Sequence, residues 1–112
     1  GHNVVLHEFA HKLDEENGAM DGVPALPDAD SQRAWIDVMG REFTLLRLRA
    51  RNVTDGVLDE YGASSPAEFF AVATEAFFER GAAMSAQHPR LYETLRTYYQ
   101  VDPANWMESA GP

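Results

Sequence analysis

The stretch "NVVLHEFAHKLDEENG", residues 3–18, carries the helical periodicity that decides the fold class of this chain. Its apolar side chains recur on one side of a helix, at Leu6, Phe9, Ala10 and Leu13. Asn3 is a residue type that caps a helix start, and Gly18 is one that ends a helix. We therefore predict an amphipathic helix from about Asn3 to Asn17, with that apolar arc buried.

The rest of the chain shows the same helical periodicity and no clear run of alternating strand residues. Further helices are predicted from about Ser31 to Arg51, from Pro66 to a stop at Gly81, and onward from about Pro89. Ser65 can cap the third of these four helices, and residues 52–65 before it can hold a short helical turn. We predict an all-α fold of about four helices in a single domain, 1–112, with an irregular tail over about 101–112.

The composition limits the classes of protein to which the chain can belong. Of its 112 residues, 45% are hydrophobic and 11% aromatic, which is enough for a packed core. Because the formal net charge of −9 repels phosphate backbones and anionic lipids, we expect no direct nucleic-acid or membrane partner. No stretch approaches the roughly 18 consecutive apolar residues of a membrane span. The chain has no cysteine, which excludes thiolate metal sites, and we expect a cytoplasmic location.

His7, Glu8 and His11 form the pattern His-Glu-x-x-His on the first predicted helix. At about 100° per residue the two histidines lie about 40° apart, one turn above the other, so both imidazoles can reach one ion. Glu8 then lies beside the ion, where its carboxylate can deprotonate a water molecule. The pattern predicts two zinc ligands and a general base, against the alternative of two incidental histidines. Catalysis also needs a third ligand and an open fourth position.

Five residues are candidates for the third ligand, namely His2, Asp14, Glu68, Glu75 and His88. Asp14 is interpreted either as a carboxylate that hydrogen-bonds a ligand histidine and fixes its tautomer, or as a solvent-exposed aspartate. Glu68 shares one face of the third helix with Glu75 and Glu79, and that face can equally be a solvated acidic surface. "SPAE" also matches a capping box, in which Glu68 turns back to the amide of Ser65. Spacing alone leaves the cap and the ligand open.

Three segments in collinear order resemble a known family: "NVVLHEFAHKLDEENG", "YGASSPAEFFAVATEAFFE" and "LYETLRTYYQVDP". Together they look like the C-terminal part of the Mlc titration factor A family, which comprises bacterial zinc-dependent peptidases of the gluzincin type. The metal-site region of that family is similar to the catalytic domain of anthrax lethal factor. The resemblance covers about residues 1–103 and implies a zincin-like helical catalytic segment.

The resemblance also implies roles for individual residues. The implied ligands of Zn²⁺ are His7, His11 and Glu68, with Glu8 as the general base. Tyr61 stands seven residues before Glu68, where lethal factor has a tyrosine thought to stabilise the transition state. The alternative for Tyr61 is an aromatic anchor for its loop. Glu75 matches a glutamate of the family that we expect behind the ligands, supporting a ligand side chain.

The implied reaction is hydrolysis of peptide bonds in a peptide or protein substrate. Members of the family also bind a sugar-responsive transcriptional repressor, so the alternative is a protein-interaction module in which zinc is mainly structural. Its partner would contact the acidic face of the third helix or the arginine-bearing helix, whose cations are Arg41, Arg47, Arg49 and Arg51. The family carries a sizeable region before the metal helix that walls the cleft. We expect this chain to be a fragment that lacks that region, which leaves its own activity open although the implied metal ligands are all present.

Overall fold

The computed structural model describes residues 3–16, 18–49, 58 and 60–110, except for the side chains at positions 49, 60, 61 and 107–110. Within these residues the chain is helical and contains no strand, so the predicted all-α fold is confirmed. The α-helices are α1 (Val4–Glu15), α2 (Ala29–Arg49), α3 (Pro66–Glu79), α4 (Gly81–Gln87), α5 (Pro89–Tyr99) and α6 (Pro103–Ala110). A short 3-10 helix, Glu60–Ala63, precedes α3 and matches the predicted helical turn.

The predicted caps form at the starts of α1 and α3. The Asn3 side chain accepts a hydrogen bond from Leu6 N at 3.1 Å, and the Ser65 hydroxyl accepts one from Glu68 N at 3.2 Å. Each bond satisfies an amide that the first turn of a helix leaves without a partner. After α1, Gly18 adopts a left-handed φ of +88° and so ends the helix, as predicted.

The predicted end of the third helix is confirmed, because α3 ends at Glu79 with Arg80 as its C-cap and Gly81 lies just past it. Gly81 also opens α4, a helix that was not predicted. A Cβ at position 81 would lie 2.9 Å from the backbone nitrogen of Ala104 in α6. Gly81 is therefore the residue type that lets α4 and α6 approach closely.

The irregular tail predicted over about 101–112 is wrong, because Pro103–Ala110 forms α6. The sequence held the signal, since Asp102 precedes Pro103 just as Ser65 precedes Pro66 at the start of α3. Ala104 N donates to the Tyr92 hydroxyl at 3.0 Å, and that hydroxyl donates to Asp102. These bonds attach the first turn of α6 to α5. The helix count is thus six in the described residues, against about four expected.

The boundaries of α2 lie close to those predicted, Ser31 and Arg51. The helix begins at Ala29 and is described to Arg49, so positions 50 and 51 lie outside the described residues. Trp35, Met39 and Leu46 are buried along its inner side. This places α2 against the 3-10 helix, α3 and α5.

Helix α3 is the centre of the fold and contacts each of the five other helices. Its residues from Phe69 to Phe77 are all buried, and they form most of the hydrophobic core with Trp35, Leu91 and Leu95. Helix α1 packs on α3, but Phe9 of its predicted buried arc is 47% exposed. The buried face of α1 is therefore narrower than the periodicity predicted. Packing of this face on the core places α1 beside the first turns of α3.

In the part of the chain that the structure describes, every helix is too short or too polar to cross a membrane. The cytoplasmic location and the single domain over 1–112 stay predictions.

Candidate metal centre

His7 and His11 lie one turn apart on α1, on the side that faces α3. Their ring centroids are 4.8 Å apart with the planes nearly perpendicular, at 81°. The two side chains are 15% and 13% exposed, so the imidazoles are largely sheltered but not sealed from solvent. Helix α1 thus presents both Nε2 atoms in one direction.

Glu68 reaches the two imidazoles from the first turn of α3. Its Oε1 lies 2.8 Å from His7 Nε2, and its Oε2 lies 3.3 Å from His11 Nε2. The amide of Glu68 is capped by Ser65, but its carboxylate is directed at the histidines. The backbone amide of Glu68 thus belongs to the helix cap, whereas its side chain contacts the two histidines.

One ligand atom from each of His7, His11 and Glu68 lies within 4.8 Å of the other two. Two imidazoles and one carboxylate are a donor set of catalytic zinc sites, in which a fourth position stays open. Glu68 is 23% exposed, so the cluster is partly open to solvent. The residues present therefore fit a zinc ion.

Glu75 supports this centre from behind His7. Its Oε2 lies 2.8 Å from His7 Nδ1, and its Oε1 accepts a hydrogen bond from Asn3 N at 2.6 Å. A hydrogen bond at Nδ1 selects the tautomer whose Nε2 lone pair can bind a metal. Because Glu75 is only 7% exposed, the alternative of a solvated acidic face is wrong at this position.

The Glu75 and Glu68 carboxylates also change the pKa of His7. Burial by itself lowers that pKa, but hydrogen bonds and charge interactions with the two carboxylates outweigh burial and raise it above its ordinary value. A raised pKa means that protons compete with a metal for this imidazole.

Asp14 is neither solvent-exposed nor bonded to His11. It is fully buried, and its carboxylate accepts hydrogen bonds from Gly22 N at 2.9 and 3.1 Å and from Asp21 N at 3.2 Å. The Nδ1 of His11 is buried without a hydrogen-bond partner among the described residues. The carboxylate that we expected to fix the tautomer of a ligand histidine thus holds a loop. Burial raises the pKa of Asp14, although the amide hydrogen bonds oppose that rise.

The other predicted residues lie as follows. Glu8 is exposed on α1, next to His7. The backbone of Tyr61 belongs to the 3-10 helix, but its side chain lies outside the described residues. His88 is buried elsewhere, with Nδ1 2.9 Å from Glu42 Oε1, and does not join the cluster. His2 lies outside the described residues.

Two residues that bear on the site were not singled out as such from the sequence. Asn3 was expected only to cap α1, yet its backbone nitrogen binds Glu75. Gly22, in the connection between α1 and α2, binds Asp14 and lies against Pro66 at the start of α3. Neither role has a local sequence signal, because each depends on a partner on another element.

Residues 1–100 of the chain match the family described as glucose-regulated metallo-peptidase M90. The chain belongs to this family. Its resemblance to the Mlc titration factor A family, predicted from three motifs, is thereby confirmed, and membership in a metallopeptidase family implies a bound metal.

Curated relatives of this M90 chain extend well beyond it. An uncharacterised Synechocystis protein, slr2042, is 46% identical over 103 residues, which are 92% of this chain and 38% of the relative. The Mlc titration factor A of Edwardsiella ictaluri is 33% identical over 114 residues, 99% of this chain and 43% of its own length. That of Escherichia coli K12 is 34% identical over 118 residues, with 98% and 42% covered. The chain therefore spans about 40% of the length of these relatives.

Proposed function

We propose that this chain is the metal-binding segment of a zinc-dependent peptidase of the gluzincin type. The observation that carries the proposal is the convergence of His7, His11 and Glu68 within 4.8 Å, from two helices, beside an exposed Glu8. A structural zinc site has no use for a free carboxylate next to its ligands, whereas a hydrolase needs one as a base. The M90 family supports the same class of reaction.

In the proposed reaction each side chain has a separate task. Zinc held by the three ligands would supply Lewis-acid chemistry, polarising a peptide carbonyl and lowering the pKa of water. Glu8 takes a proton from the attacking water. Glu75 keeps His7 in its ligand tautomer through the 2.8 Å contact at Nδ1. Tyr61 donates a hydrogen bond to the developing oxyanion, a role that rests on the resemblance and on its position seven residues before Glu68.

A second candidate function is repressor binding, which the name Mlc titration factor A of several relatives favours. In that case the chain would bind a transcriptional repressor, and zinc would mainly join α1 to α3. The two functions separate at Glu8, since binding of a repressor does not require a general base.

The test measures zinc content after dialysis and peptide cleavage for the parent chain, Glu8→Gln and Glu68→Gln. We expect about one zinc per chain in the parent and in Glu8→Gln, and little in Glu68→Gln. Cleavage should fall about 10²- to 10⁴-fold in Glu8→Gln, although the metal is retained. Glu79→Gln, an exposed carboxylate on the same helix as Glu68, is the matched control.

Equal zinc in the parent and Glu68→Gln would reject the ligand set. Undiminished cleavage by Glu8→Gln would reject the proposed base. If Glu8→Gln retains zinc and still binds the repressor, the binding surface is separate from the reaction.

A further inference from the structure

Gly22 is the point at which three helices meet. Its backbone nitrogen donates to the carboxylate of Asp14 at the end of α1, and its carbonyl accepts from Trp35 Nε1 of α2 at 2.8 Å. Its Cα faces Pro66, the first residue of α3, so closely that a Cβ would lie 2.5 Å from the Pro66 carbonyl oxygen. One buried residue thus has a contact on each of the three long helices.

Two of the residues that Gly22 contacts, Asp14 and Pro66, are close in sequence to proposed metal ligands. Asp14 follows His11 by three residues on α1, and Pro66 precedes Glu68 by two residues on α3. The histidines and the glutamate reach each other only if α1 and the first turn of α3 keep their separation. Because metal–ligand distances are set within about 0.2 Å, a shift of the α3 start would disturb the site.

The backbone of Gly22 is suited to this position in two ways. Its φ of +82° lies in the left-handed region that favours glycine, and its missing side chain permits the contact with Pro66. Asp14 holds that peptide with both carboxylate oxygens although the carboxylate is fully buried. A buried carboxylate is unfavourable unless it is hydrogen-bonded, and here its bonds go to the loop and not to His11 Nδ1.

We propose that Asp14 and Gly22 are positioning residues of the metal centre, which set the distance from the α1 histidines to Glu68. This inference rests on the proposed zinc site. Asp14 acts through the Gly22 peptide, and Gly22 acts through its contact with Pro66. Neither residue touches the metal.

The test uses Gly22→Ala and Asp14→Asn, with Gly18→Ala as the matched control. Gly18 lies in the same connection with a φ of +88°, but a Cβ there meets nothing within 4 Å. Gly18→Ala therefore introduces the same kind of backbone strain without the contact on α3. Affinity is measured by competition for Zn²⁺ with a chromophoric chelator, and geometry by the visible absorption of bound Co²⁺.

We expect Gly22→Ala and Asp14→Asn to bind Zn²⁺ at least about 10-fold more weakly than Gly18→Ala, with an altered Co²⁺ spectrum. Circular dichroism shows whether each metal-free variant is folded, because a merely destabilised but folded chain would keep the parent affinity. If Gly22→Ala does not fold, Asp14→Asn decides the matter by the same two readouts.

Parent affinity and a parent Co²⁺ spectrum in the folded variants would overturn the inference. The Glu68→Gln variant keeps this result separate from the proposed function. If the parent binds Zn²⁺ and Glu68→Gln does not, the ligand set stands whatever Gly22 and Asp14 do. If Glu68→Gln binds Zn²⁺ as the parent does, the proposed site itself is rejected.

Discussion

The carboxylate of Glu75 lies 2.8 Å from the Nδ1 of His7 on α1 and accepts a hydrogen bond from the backbone nitrogen of Asn3, the N-cap of that helix. Glu79, one turn later, is exposed and accepts a hydrogen bond from the Asn3 side chain at 3.2 Å. Since removing a carboxylate that orients a ligand histidine costs about 10- to 100-fold in metal affinity, we expect Glu75→Gln to bind Zn²⁺ at least about 10-fold more weakly. Glu79→Gln should bind like the parent. Equal affinities in a chelator competition would contradict the role of Glu75.

The hydroxyl of Tyr99 shares a 2.8 Å hydrogen bond with Thr74 Oγ1 of α3, and burial raises the pKa of this tyrosine well above its usual range. Tyr99→Phe should lower the free energy of unfolding by about 1 kcal/mol at neutral pH. A raised folded-state pKa stabilises the protein below the unfolded value, about 10, and this stabilisation is lost as the pH rises further. The difference in free energy of unfolding between the parent and Tyr99→Phe should therefore shrink above about pH 10. Urea unfolding of both chains checks this, and a constant difference would count against it.

At the scale of elements, substituting alanine at two helical glycines should change the free energy of unfolding in opposite directions. A Cβ at Gly81 would lie 2.9 Å from Ala104 N, whereas a Cβ at Gly40, in the exposed middle of α2, meets nothing within 4 Å. Gly81→Ala should force α4 and α6 apart and lower the free energy of unfolding by about 1–3 kcal/mol. Gly40→Ala should raise it by about 0.8–1 kcal/mol through helix propensity. Denaturant unfolding measures both free energies, and a change of the same sign in the two variants would contradict the close approach of α4 and α6 at Gly81.

The starts of α1 and α3 were predicted from local sequence, whereas α6 was missed although Asp102 and Pro103 carry a comparable start signal. The starts of α1 and α3 depend on Asn3 and Ser65, whose side chains bond amides within the same four residues. Helix α6 has a comparable start at Pro103, but its short amphipathic pattern gains stability mainly by packing on Gly81 and Tyr92. Contacts with residues far away along the chain cannot be predicted from a short segment of sequence.

At the scale of the whole molecule, a bound zinc ion would join α1 to α3 and stabilise the folded chain. At a free Zn²⁺ concentration 100 times Kd, the stabilisation is about 2.7 kcal/mol, which raises the unfolding temperature by roughly 10 °C in a domain of this size. A chelator should reverse the shift, and Glu68→Gln should show almost none. Thermal unfolding with and without Zn²⁺ measures it, and an equal rise in both chains would indicate binding outside this centre.

Local sequence determined the helical class of this chain, the caps of α1 and α3, and the placement of His7, Glu8 and His11 on one helix. These features depend on residues within one or two turns, so periodicity and residue type suffice to predict them. Only tertiary structure decided that the Glu68 carboxylate meets the histidines, that Glu75 lies behind His7, and that Asp14 holds Gly22. The partners in these contacts lie 8 to 68 residues apart along the chain, and only the packing of α1 on α3 and of the loop after α1 brings them together.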